Sequence, residues 1–102
     1  MRGKLIKGLV FKTRPNFTSI DCSRNTIVGN IFYMKDESYR NEVCDKYEIY
    51  FKEQMNKNIE FKKYIRNIWK QVHNGNNVEL LCYCGNKRCH CETIINFVEK
   101  YL

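Results

Sequence analysis

The sequence predicts a small single-domain α/β fold over residues 1–102. A mixed sheet should carry a central buried strand at residues 78–84, covered by about three helices. Three observations predict it. The run Val78-Glu79-Leu80-Leu81-Cys82-Tyr83-Cys84 is apolar on both sides apart from Glu79, as strands buried on both faces are. Two segments before this run and one after it carry apolar residues at helical spacing. A length of 102 residues with one proline suits a single core.

The elements follow in order. Residues 1–13 hold Leu5, Ile6, Leu9, Val10 and Phe11 among lysines. Gly3 and Gly8 interrupt them, which suits an edge strand or a hairpin arm better than a helix. Residues 14–33 read as a loop with short strands, marked by Pro15-Asn16, Ser23-Arg24-Asn25 and Gly29-Asn30; long ordered loops tend to carry function. A first helix at 37–56 is capped by Asp36 or Ser38, whose side-chain oxygen satisfies a free N–H of the first turn. It buries Val43, Tyr47, Tyr50 and Phe51. A second helix at 60–73 buries Phe61, Tyr64, Ile65, Ile68 and Val72, and Asn74-Gly75-Asn76-Asn77 stops it. The closing helix, 92–102, buries Ile94, Ile95, Val98, Tyr101 and Leu102.

Charge narrows the partners. A net charge of +7 favours an anion such as a nucleotide, a nucleic acid or an acidic protein surface, although the basic residues are dispersed. Lys62, Lys63, Arg66 and Lys70 form a stripe on one side of the second helix. It can track phosphates, but a solvated face is the commoner meaning of such a stripe. His73, closing that helix, reads as a surface residue paired with the helix dipole. No apolar stretch reaches membrane-spanning length and no charged start leads into a signal-type core, so no membrane partner is expected. The six cysteines are therefore expected as reduced thiols in a cytoplasmic protein, not as a disulfide scaffold.

The chemistry is concentrated near the end of the chain. Cys82, Cys84, Cys89, His90 and Cys91 fall at a strand end, a tight turn and a helix start. Ligands in α/β sheets bind beyond the carboxyl ends of the strands, and a helix start offers free N–H groups and a positive dipole end.

The same residues resemble a known family. Arg24, then Gly29-Asn30 and Phe32, Arg40 with Glu42-Val43, Tyr47 with Tyr50, Leu81 with Cys84, and Lys87-Arg88-Cys89-His90 together resemble the domain-of-unknown-function family 4326. The resemblance spans residues 19–102. It implies a compact α/β fold whose Cys-His turn faces the Gly-Asn loop, in proteins common in bacteriophage genomes. The chain departs from the pattern at Ile31, where proline is usual, at Cys91, where glycine is usual, and at Gly85-Asn86, which replaces a small residue followed by proline.

Four readings of the site follow. In the favoured one, a phosphorylated, nucleotide-like ligand sits in a cleft between the Gly29-Asn30 loop and the Cys89-His90 helix start. Arg24, Arg40, Lys87 and Arg88 would hold its oxygens, and Tyr33, Tyr83 or Phe32 would stack on a base. Capture of such a molecule in the cytoplasm of a phage host would modulate metabolism or defence. In the second, Cys89 is a nucleophile with its pKa lowered by the helix start and neighbouring cations, and His90 shuttles a proton; the residues lean against catalysis because no orienting residue can be assigned. In the third, zinc binds Cys84, Cys89, His90 and Cys91. Against that stands the small-hydrophobe role of Cys82 and Cys84 in a core, so no cofactor is the favoured expectation. A nucleic-acid-binding module is the fourth.

Overall fold

A computed structural model describes residues 1–85 and 87–102. Asn86, one of the two residues of the Gly85-Asn86 departure from the family pattern, lies outside them. Strand β1 (Leu5–Leu9) and strand β2 (Thr18–Asp21) come first. A single 3-10 turn (Glu37–Tyr39) then leads into helix α1 (Arg40–Lys57). Helix α2 (Ile59–His73), strand β3 (Val78–Cys82) and helix α3 (His90–Lys100) complete the order.

The α/β class, the buried central strand and the three covering helices agree with the sequence. The sheet has the order β1-β3-β2, with Leu5 and Thr18 both opposite Val78. Both pairings are parallel, so the sheet is not mixed. The reason lies in the connections. Parallel neighbours need a crossover, and α1 with α2 supplies the one from β2 to β3. The crossover from β1 to β2 has no helix: residues 10–17 run behind β3, where Arg14 N–H donates to Glu79 Oε1 at 2.8 Å.

β3 is shorter than expected, ending at Cys82 instead of residue 84. Tyr83 turns outward against Phe11, and Gly85 adopts a left-handed backbone (φ +63°) that ends the extended run. α3 begins at His90, two residues before the expected start, with Cys89 as its N-cap. Both differences move Cys84 and Cys89 into one turn between strand and helix.

One face of β3 builds the core. Val78, Leu80 and Cys82 pack with Tyr47 and Phe51 of α1, with Phe61, Ile65, Ile68 and Val72 of α2, and with Ile94 and Val98 of α3. Each large apolar side chain buried there contributes about 1.5–3 kcal/mol. Tyr101 at the end of α3 is exposed and Leu102 only half-buried, so the closing helix buries a narrower stripe than expected. Asn58 separates α1 from α2: its extended backbone stops one helix, and its side chain accepts from Phe61 N–H at 3.1 Å to cap the next.

Candidate functional site at the strand ends

The loop after β2 is folded tightly on itself. Cys22 N–H extends the sheet pairing to Leu81 C=O, and Ser23 N–H donates to Asp21 Oδ1 at 2.9 Å. Thr26 and Gly29 close successive turns onto Ser23 C=O and Thr26 C=O. A side chain on Gly29 would lie 2.4 Å from Ser23 O and 2.7 Å from Arg24 Cα. Its bare backbone therefore serves the loop's own packing, not the approach of a ligand. Asn30 Oδ1 accepts from Phe32 N–H at 2.9 Å, which fixes the amide at the loop's inner edge.

The start of α3 meets this loop through His90. Its Nε2–H donates to Cys22 C=O, and its ring stands edge-on to Tyr47 at 5.1 Å. With Nε2 carrying the hydrogen, Nδ1 is left as the acceptor of a neutral imidazole. Burial lowers the His90 pKa, which favours that neutral form. Cys89 N–H donates to Glu92 Oε2 at 3.2 Å, and the same carboxylate holds Lys7 Nζ at 2.7 Å.

Between the two segments lies a cavity of about 160 Å³, bordered by Arg24, Asn30, Arg40, Cys84, Cys89 and His90. Cavities of about 150 Å³ take a benzene-sized group, whereas pockets for whole ligands begin near 300 Å³. This one accepts a single phosphate-sized or ring-sized group.

Of the expected site residues, these six come together and three do not. Gly29 stands behind the loop. Lys87 Nζ turns to Glu37 Oε1 at 3.0 Å, and Arg88 reaches Asp45 at 2.8 Å and Glu48 at 3.3 Å on the outer side of α1. Their role is to clasp the turn before α3 onto α1. Arg40 completes the clasp: Nε and Nη2 donate to the two oxygens of Glu37 at 2.7 and 2.8 Å, and Nη1 to Arg88 C=O at 2.8 Å. The hydrogen bonds from Arg40, and then from Lys87, hold the Glu37 carboxyl down at about 2.

Sequence reasoning missed Glu37 and Cys82. An exposed acidic residue at a helix start carries no signal of the two cations it gathers. Cys82 read as a small core residue, yet its Sγ lies 3.5 Å from Cys89 Sγ. The sulfurs of Cys82, Cys84 and Cys89 all lie within 4.8 Å of one another, close enough for a metal ion to be held. Cys89, His90 and Cys91 form a second such group, so the expected set of Cys84, Cys89, His90 and Cys91 is divided between two arrangements. All six cysteines are free thiols.

The sulfurs share protons unequally. Hydrogen bonding from Cys84, then from Cys89 and Cys91, lowers the Cys82 pKa. The counterpart is a raised Cys84, chiefly through Cys82, and a raised Cys91, chiefly through Cys22. Cys89 is also lowered, its raising contact with Cys82 being outweighed by Cys84 and Cys91. No helix is long and apolar enough to cross a membrane among the described residues.

The family described as Domain of unknown function (DUF4326) matches residues 11–100 of this chain, a longer stretch than the residue pattern alone covers. No curated protein and no solved structure matches it.

Proposed function

The chain belongs to the DUF4326 family of domains of unknown function, and from its own residues we propose that it binds a phosphorylated, nucleotide-like ligand at the strand-end cavity. One observation carries the reading: Arg24, Asn30, Arg40, Cys84, Cys89 and His90, drawn from separate segments, border the same small cavity. Its volume suits one phosphate group, with the rest of the ligand lying outside. Arg24 spends one N–H on Phe32 C=O at 3.1 Å and has further donors to offer. Arg40 supplies a fixed positive charge, and the first N–H groups of α3 add the positive end of a helix dipole. Tyr33 and Tyr83 are exposed beside the loops and offer faces on which a base can stack.

Catalysis by Cys89 and His90 is the competing reading, favoured by the lowered Cys89 pKa. Two features set it second. His90 Nε2–H is committed to Cys22 C=O, and Cys89 is buried beside the cavity. The family resemblance extends the binding reading to a phage product in a bacterial cytoplasm, where capture of a nucleotide signal would alter host metabolism or defence.

A thermal-shift screen against nucleotides, followed by product analysis of each hit, tests both readings. Binding predicts stabilisation of about 2.7 kcal/mol at a hundredfold excess over the dissociation constant, with the ligand recovered unchanged. A converted ligand means an enzyme. If no phosphorylated compound stabilises the chain, the binding reading fails.

A further inference from the structure

We infer that Cys82, Cys84 and Cys89 form a three-thiolate site for a soft divalent metal ion, zinc foremost, whose fourth coordination position opens into the strand-end cavity. Zinc with sulfur bonds of about 2.3 Å in a tetrahedron sets its sulfurs about 3.8 Å apart. The three sulfurs here lie within 4.8 Å of one another, and one pair stands at 3.5 Å. Closing on an ion asks for side-chain adjustments of ångström size or less. All three residues border the cavity, whose volume of about 160 Å³ has room for a fourth ligand.

The charges around the sulfurs match this use. Three thiolates and a divalent cation leave one net negative charge, which burial would make costly without a counter-charge. Arg40 borders the same cavity as Cys84, and the Lys7 charge interacts with Cys82 and Cys89. Both cations are held in place, Arg40 by Glu37 and Lys7 by Glu92. A purely apolar thiol cluster would not gain from two anchored cations at its edge. The positions beyond the strand explain how three ligands meet: β3 ends at Cys82, the chain bends at Tyr83, and Cys84 comes round toward Cys89 at the N-cap of α3.

Four-coordinate zinc with three protein ligands keeps one position for water or an anion. Here that position adjoins Arg24 and Asn30, so a phosphate oxygen entering the cavity would meet the metal and the guanidinium together. This last step rests on the anion-binding reading; the metal site itself does not.

The test uses the full chain, purified with a reducing agent and without chelator, then stripped and titrated with cobalt(II) as a spectroscopic substitute for zinc. One equivalent should bind, with intense visible bands of a four-coordinate ion and sulfur-to-cobalt charge transfer of three-thiolate intensity. C82S, C84S and C89S should each remove one thiolate's share of that intensity. Each should also weaken zinc binding by more than about 100-fold, beyond the ~10–100-fold lost with an outer-shell partner. C91S should leave the charge-transfer intensity unchanged, since Cys91 supplies no ligand. The site is overturned if the wild-type chain binds no stoichiometric metal, or if its charge transfer counts a different number of thiolates, a reading that needs no variant to fold. It is equally overturned if C91S removes a thiolate while C82S is silent. Added inorganic phosphate should shift the visible bands; unshifted bands overturn the open position. Nucleotide stabilisation of the metal-free chain is scored separately. Metal binding with no nucleotide stabilisation of either the metal-free or the metal-loaded chain refutes the ligand reading, and nucleotide stabilisation without metal binding refutes the metal site.

Discussion

On the back of β3, Glu79 is fully buried; at the carboxyl end of the same strand, Cys82 and Cys84 begin the cavity. Both regions place ionisable groups in the interior, but they are built differently. Glu79 Oε1 takes hydrogen bonds from Arg14 N–H at 2.8 Å and Ser19 Oγ at 2.9 Å, both from segments running along β3. Its Oε2 has no hydrogen-bond partner, and Arg14 Nε stands 3.8 Å away. The result is a fastener that ties the helix-free crossover to the sheet. At the strand end, polar groups from several segments face a space that the chain does not fill. Burial of an ionisable group therefore does not by itself mark a binding site. What distinguishes the front is convergence of distant segments on donors left available.

The largest effect is expected at the Glu79 fastener. Glu79→Ala removes the acceptor of a part-buried backbone N–H and a hydroxyl and leaves a void. Denaturant unfolding should show a loss of about 2–4 kcal/mol. Metal binding by the folded fraction should be unchanged, and an altered stoichiometry would mean that the back face contributes to the site. Arg24→Ala should do the converse. Nucleotide affinity should fall by about 1.5–3 kcal/mol in a titration, with stability within about 0.5 kcal/mol of the parent.

A subtler difference concerns protons. Because the folded-state pKa of His90 lies below its ordinary value of 6.5, the unfolded chain takes up a proton first as pH falls. The contribution of neutral His90 is present above pH 6.5 and declines below it, toward the lowered folded value. Unfolding at pH 7 and pH 5.5 should show this loss, and His90→Gln should abolish it. Lys87→Ala is expected to change least. Its partner Glu37 keeps the two bonds from Arg40, so affinity and stability should both stay within error. A clear fall in affinity would restore Lys87 to the site.

Much of the fold could be read in advance because it rests on local periodicity. The buried stripes of α1 and α2 and the apolar run before Cys84 state their environment in their own spacing. β2 does not: three of its four residues, Thr18, Ser19 and Asp21, are exposed and show no alternation. Parallel pairing was hidden too, since β1 and β2 each pair with a strand far along the chain and nothing local records direction. The place of the site was legible from crowded cysteines and a histidine. The partition of its charges was not. Lys87 and Arg88 carry the right sign for a phosphate, but the carboxylates that claim them stand on the 3-10 turn and on α1, forty to fifty residues earlier. Cys82 does not stand out in the sequence because an unbroken strand to residue 84 would keep it in the core.

The order β1-β3-β2 also has a consequence in time. β1 and β2 never touch as neighbours; each finds its partner only in β3, which comes last of the three strands. A chain emerging from the ribosome can pair α1 with α2 early, since that contact is local. It cannot close any part of the sheet until residues 78–82 have been made. Two unpaired strands must wait through most of synthesis. Sheets dominated by such distant pairings form slowly and are exposed to wrong partners meanwhile. Truncation between α2 and β3 should leave a helical hairpin with no sheet to pack on.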